Sequence, residues 1–321
     1  MRCVGLAQEF RQKGVTPVFV LKYYDEKVLE RVRGMGFGSE RIDRRFDFTE
    51  DTVAVLRLAE KYNARVVIAD LSHSATVADV KGFARHVQEL KARGHYVMVI
   101  DGGSPHDCIC AMEKIVADIV VIPYFDAEKI TRKLGTGTRA LLGPAYFIFR
   151  EEFARQAARK EPPGGMVESI LLTMGGSDSS ELTPKVIELL MKMNRSSLSL
   201  HVVQGVGFSP AVKLKIERFQ DKWNGAYTIS NGSSHMADLM GTCDVAIINN
   251  GLTQYEAALM GVPSIAVSAG DFAETASLIS RIEKLFDDAA FRQESVQKKK
   301  TQLDGNGVKR VIAEIPGELL S

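Results

Sequence analysis

Two short stretches of this sequence carry the residue types from which an anion site is made. In "ILLTMGGSDSSELTPKVIELL" an apolar run ends in Gly175 and Gly176, Ser177 and Asp178 follow, and a helical pattern begins a few residues later. Glycines let a backbone come close to a ligand, the free N–H groups of a helix start favour negative charge, and the Ser177 hydroxyl adds a donor. That combination suits a phosphate. It also suits an ordinary strand-to-helix turn in which Asp178 caps the helix, and on this stretch alone both readings stand. Neither the Lys of a P-loop nor the third Gly of a dinucleotide fingerprint is present.

The second stretch, "DVAIINNGLTQYEAALMGVPSIAV", repeats the arrangement. The apolar run Val245 to Ile248 ends in Asn249, Asn250 and Gly251, and the helix that follows carries Thr253, Gln254 and Glu256. A carboxylate one turn into such a helix can accept both hydroxyls of a ribose, or simply complement the helix dipole. Two glycine-ended turns within one domain would converge on one crevice, which favours a nucleotide.

The elements that must position these turns alternate in type. In the first half, "VTPVFVL", "RVVIAD", "HYVMVID" and "ADIVVIP" read as short buried strands, with helices over 25–35 and 77–92. Continuous apolar strands separated by helices indicate a parallel sheet covered on both faces. "REEFARQAARKEPPGGM" is charged and then broken by Pro162, Pro163, Gly164 and Gly165, and is the best linker in the chain. The pattern then restarts through "SILLTMGG", "LSLHVVQG", "AYTIS", "DVAIINNG" and "PSIAVS". The fold class is therefore α/β, with two Rossmann-like domains facing a cleft. The expected division is a first domain over 1–150, a linker over 151–167 and a nucleotide domain with C-terminal helices over 168–321.

Composition narrows the function classes. The 321 residues are 45% apolar and 25% charged, with a formal net charge of +1, as in a soluble globular protein with no overall pull toward nucleic acid or acidic lipid. Lys298 to Lys300 is read as a solvated helix face. No run approaches the roughly 20 apolar residues that cross a bilayer, and the amino terminus lacks a signal-peptide pattern. Four scattered cysteines imply reduced thiols and a cytoplasmic location. No His/Asp/Glu cluster has metal-ligand spacing, and neither a metal nor a cofactor is expected.

"LLTMGGSD", "AIINNGLTQYEAALMGVPSIAVS" and "LDGNGVKRVIAEI" resemble the nucleotide domain of GT-B enzymes. They are similar to the UDP-N-acetylglucosamine transferase of peptidoglycan synthesis. They are more similar to the UDP-sugar hydrolase of the pseudaminic acid pathway and its spore-coat polysaccharide relatives. "VIADLSH", "MVIDGGSPHDC" and "LLGPAYFIFREEF" extend the resemblance through the first half. It implies that Gly175, Gly176 and Ser177 hold the diphosphate of a UDP-sugar. It places Asn250, Gly251, Leu252 and Thr253 near phosphate and sugar, Glu256 on the ribose, and His235 and Met236 by the uracil. The reaction it implies is release of UDP by water attacking the anomeric carbon. Transfer of the sugar to an acceptor, or binding without turnover, are the alternatives.

The resemblance also bears on "MRCVGLAQEFRQKG", which reads as a helix stopped by Gly14. In the hydrolases a first strand and a Gly-x-Gly-His loop precede the matching Arg-Cys. The sequence is therefore expected to start inside the first βα unit, without the loop histidine that acts there as general base. The neighbouring strand edge should then be exposed, with self-association through it. Substitute bases are few: Asp70 at a strand end, His73 two residues beyond the Leu71 that replaces a family His, and Asp101 in "VIDGGS". Asp271 and Phe272 stand where the family often has Asn-Gln, so the sugar contact there differs.

Overall fold

The computed structural model describes residues 2–22, 26–45, 47–70, 78–101, 115–130, 134–156, 164–232 and 235–320. They form two compact units, Met1–Arg150 with Asn306–Ser321, and Glu151–Gly305.

In the first unit the opening stretch forms helix α1 (Arg2–Gln12), and Gly14 follows it with φ of 81°. Strands β1 (Val18–Leu21) and β2 (Gly38–Arg41) flank helix α2 (Glu26–Gly34) and pair parallel as a two-stranded sheet. Helix α3 (Phe48–Lys61) leads to β3 (Val66–Asp70), and helix α4 (Val80–Ala92) to β4 (Tyr96–Ile100). With β5 (Ile119–Ile122) and β6 (Arg139–Leu142) they complete a parallel four-stranded sheet in the order β3-β4-β5-β6. α1 serves both sheets. Its Leu6 and Phe10 join the core of the four-stranded sheet, while Val4 and Ala7 pack with Val32, Phe37 and Phe19 beside the two-stranded one. Among the described residues β3 pairs with β4 alone and β1 with β2 alone, so each keeps a second edge without a strand.

The second unit holds helix α5 (Glu151–Gln156), β7 (Ser169–Thr173), α6 (Leu182–Lys192), β8 (Ser199–Gln204), α7 (Pro210–Glu217), β9 (Tyr227–Asn231) and α8 (Met236–Thr242). There follow β10 (Val245–Asn249), α9 (Thr253–Met260), β11 (Ser264–Val267), α10 (Thr275–Asp287) and α11 (Ala289–Lys300). Its five strands are parallel in the order β11-β10-β7-β8-β9. The core on one face runs from Ile170 and Leu172 through Leu200, Val202, Val245 and Ile247 to α6 and α10.

The boundaries differ from the expected ones at two places. The proposed linker begins as helix α5, because Phe153 is fully buried and fixes that segment to the second unit. The chain also does not stay in the second unit to residue 321. Helix α12 (Gly307–Ala313) returns to the first, where Val308, Val311 and Ile312 join its core and Gly307 lies so close to Phe147 that a Cβ would meet its carbonyl oxygen at 2.2 Å.

Candidate functional site

The strand order of the second unit reverses at β7. From it the chain moves outward to β8 and β9 on one side, and β10 and β11 fill the other. In open parallel sheets ligands settle at the carboxyl ends of the strands where the order reverses. The loops leaving β7 and β10 are the two glycine-ended turns of the sequence.

The structure brings those turns together. The Asn249 side chain lies between them: a Cβ on Gly175 would stand 3.0 Å from its Nδ2, and one on Gly251 would stand 3.5 Å from its Oδ1. Gly175 has φ of 77°, a conformation that favours glycine. Gly176 and Ser177 are exposed, while Gly251, Leu252 and Thr253 are half-buried around the start of α9. Asn250 is exposed, and its side chain lies 3.5 Å from Gln254 Nε2. Glu256 is half-buried in the first turn of that helix.

A third turn, which the sequence reading passed over, closes on the first. The "QGVG" that ends β8 places Gly205 and Gly207 against the Gly175–Ser177 loop. The Gly207 N–H donates to the Gly176 carbonyl at 2.9 Å. A Cβ on Gly205 would meet the carbonyl oxygens of Gly175 and Gly176, each at 2.3 Å. Both carbonyl oxygens thus border the space beside Gly205, and the second one faces the Gly207 N–H. A trans peptide carries its N–H opposite its carbonyl, so the Ser177 N–H points away from Gly207. A backbone N–H in such an exposed glycine loop is a donor that suits an anion. A glycine at each of two alternate positions after a strand was the available signal. Gln204 ends the same strand, and its buried Nε2 has no hydrogen-bond partner.

Asp178 resolves the ambiguity of the first stretch. Its carboxylate accepts from the N–H of Leu182 and of Thr183, each at 2.7 Å, so it caps α6. Those helix-start amides are taken, and the donors left for an anion belong to the loop.

His235 and Met236 follow β9, two strands from β7. His235 is exposed with Nδ1 3.5 Å from the Asp238 carboxylate, and the Met236 side chain is buried, which leaves backbone as its polar contribution. Asp271 serves its own turn: it accepts from the Ser268 N–H at 2.7 Å and hydroxyl at 2.6 Å and pairs with Arg281 at 2.5 Å. Burial opposes its charge, but Ser268 and Arg281 outweigh that and hold its carboxyl below the usual range. Phe272 packs against the core of the unit, with Lys185 Nζ 5.8 Å from its ring centre.

The catalytic candidates belong to the first unit. Asp70, at the end of β3, accepts from Arg2 Nε at 2.8 Å and from the Cys3 thiol at 3.0 Å, and Arg2 also donates to the Tyr124 hydroxyl. Burial disfavours the charge on Arg2, but Asp70 more than compensates and keeps the guanidinium above its usual range. Burial, reinforced by Asp70, pushes the Cys3 thiol up, and burial raises the Tyr124 phenol. Asp101, just past β4, is fully buried. His73 lies outside the described residues. Arg2, Cys3 and Tyr124 were missed because their partner lies far along the chain. Among the described residues no group of three His, Cys, Asp or Glu side chains is placed to hold a metal, and no helix is long and apolar enough to cross a membrane.

No family model matches the chain. It is 26% identical over 273 residues to the uncharacterized protein MJ1062 of Methanocaldococcus jannaschii, across 83% of this chain and 51% of that protein. It is 30% identical over 135 residues to the spore coat polysaccharide biosynthesis protein SpsG of Bacillus subtilis, across 41% of this chain and 38% of that one. The chain thus spans about half the length of the first relative and less of the second. Among solved structures, an S. aureus MnaA–UDP co-structure superposes with a TM-score of 0.64 at 11% identity, over 99% of this chain and 93% of that one. The UDP-GlcNAc 2-epimerase of Neisseria meningitidis bound to UDP-GlcNAc gives 0.61 at 11% identity, over 97% and 95%. At such identities the likeness speaks for the fold, which is GT-B-like α/β.

Proposed function

We propose that the second unit binds the uridine diphosphate of a UDP-linked sugar, and that the chain releases UDP from a UDP-linked deoxy amino sugar with water as acceptor. The observation that carries this reading is the meeting of three glycine turns, after β7, β8 and β10, at the point where the strand order reverses. A diphosphate seated there accepts from the Gly176 and Ser177 amides and from the Ser177 hydroxyl. Such charge-assisted bonds are about twice as strong as neutral ones. Thr253 and Gly251 then face phosphate and sugar, Glu256 accepts from the ribose hydroxyls, and His235 and Met236 meet the uracil through backbone. A relative named for spore coat polysaccharide biosynthesis, and fold neighbours solved with UDP and with UDP-GlcNAc, support the same ligand class.

In the reaction, a water oxygen attacks the anomeric carbon, the bond from that carbon to the diphosphate oxygen breaks, and its electron pair leaves with UDP. The water proton passes to a base. Amides that already point at the diphosphate stabilise the charge that grows there as the bond breaks.

Calorimetry with UDP and with uridine, followed by assay of UDP release from UDP-amino sugars, tests the reading. Expected are binding of UDP well above that of uridine, and free sugar with UDP as products. UDP release only on addition of a sugar acceptor would convert the reading to transfer, and binding without turnover would make the chain a nucleotide-sugar binder. No binding of UDP would overturn it.

A further inference from the structure

We infer that the turn after β8, from Gly205 to Gly207, sets the aim of the two loop amides and is the positioning element for the diphosphate. The inference rests on the UDP reading above, and adds to it two residues that touch the loop from behind.

The argument is one of peptide planes. A peptide carries its carbonyl and its N–H on opposite sides, so whatever fixes the carbonyl fixes the amide. The carbonyl oxygens of Gly175 and Gly176 each lie 2.3 Å from the position of a Cβ added to Gly205, and the Gly176 carbonyl carbon lies 2.5 Å from it. A methyl there would overlap both oxygens and turn both planes. The Gly207 N–H holds the second carbonyl at 2.9 Å, and a Cβ on Gly207 would stand 3.1 Å from the same oxygen. That is a smaller push on one plane only. The loop has no comparable support from the helix after it, since the first amides of α6 are held by Asp178. A Gly175 N–H to Thr173 Oγ1 contact of 3.4 Å fixes only the first residue of the turn. The direction of the Gly176 and Ser177 amides is therefore set from β8.

The test compares the natural chain with Gly205→Ala and Gly207→Ala by calorimetry with UDP and uridine. It adds titration with inorganic pyrophosphate, followed through the amide signals of Gly176 and Ser177. Charge-assisted bonds to two misdirected amides are lost in Gly205→Ala, so UDP affinity should fall at least about 30-fold while uridine affinity moves less than about 3-fold. Gly207→Ala should fall in between. The pyrophosphate shifts seen in the natural chain should vanish in Gly205→Ala. If Gly205→Ala does not fold, Gly207→Ala decides. Equal losses for UDP and uridine, or unchanged UDP affinity in the folded variants, overturn the inference. A natural chain whose amides respond to pyrophosphate but which ignores UDP sinks the uridine reading and leaves this one standing. Amides that respond to neither ligand sink both.

Discussion

The two units are built from the same parallel βα pattern, yet they differ at the strand ends where a ligand would sit. In the second unit β7 has a strand on both sides, Ile247 on the neighbouring β10 is 0% exposed, and the turns above them carry the exposed Gly176, Ser177 and Asn250. In the first unit the parallel strands fall into two sheets under one helix, and Val20 on β1 is 39% exposed. The polar groups at its strand ends answer one another: Arg2, Cys3, Asp70 and Tyr124 form one hydrogen-bonded group. At the intact order reversal the turns leave glycine backbone exposed. Where the sheet divides, the same region is given over to holding α1 against β3.

Hydrogen exchange should display the largest contrast. Amides of Ile170 to Thr173 and Val245 to Ile248 lie within a five-stranded sheet and should open only with the whole unit, at about 5–15 kcal/mol. Amides of β1 and β3 that face their unpaired edges should exchange close to the zero end of that scale. Equal protection in both places would break the comparison.

Core substitutions sharpen it. Ile247→Ala should cost about 2–5 kcal/mol, because a buried side chain between packed strands leaves a cavity. Val20→Ala should stay within about 0.5 kcal/mol, as for a surface change. Trp223, the single tryptophan, lies in the second unit's core, so urea titration by fluorescence reads that unit alone. Circular dichroism serves for the first.

The same division explains what the sequence made legible. Strands such as β4, β5, β7 and β10 are continuous apolar runs buried on both faces, and their pattern is enough to find them. β2 is Gly-Ser-Glu-Arg, a half-exposed edge with no apolar signature, and was invisible for that reason. The glycine turns after β7 and β10 were legible as candidates. The turn after β8 was not, because its importance lies in two carbonyls that approach it from thirty residues earlier, roughly, along the chain. Asp178 could be read either as ligand-facing or as cap from its spacing, and only its two 2.7 Å bonds decide.

A pH effect of intermediate size belongs to the first unit. His86 is buried between α3 and α4, with Nδ1 2.8 Å from Thr52 Oγ1, whose own proton goes to the Phe48 carbonyl at 2.6 Å, so the imidazole donates from Nδ1. Burial, helped by the nearby charge of Lys22, lowers its pKa from 6.5 to about 4. A folded-state pKa below the unfolded one means the unfolded chain takes the proton first. Stability is therefore full above pH 6.5, falls between 6.5 and about 4, and levels off below, by about 3 kcal/mol in all. His86→Gln should flatten that part of the first unit's profile, while the second unit, followed at Trp223, keeps its own. A profile unchanged by the substitution would refute the assignment.

The smallest effect tests the cap. Asp178 is 5% exposed and supplies both of its oxygens to α6, while Glu181, the residue directly before the helix, has φ of 52° and makes no side-chain cap. Asp178→Ala should therefore cost about 1–2 kcal/mol in the second unit, the usual loss for a capping side chain. Asp178→Asn keeps one acceptor oxygen and should lie between the two. Both are measurable by urea titration at Trp223. If Asp178→Ala costs nothing, the amides of Leu182 and Thr183 are satisfied without it. The start of α6 then returns as an anion site in competition with the loop, and the exposed glycine turns no longer set the second unit apart from the first.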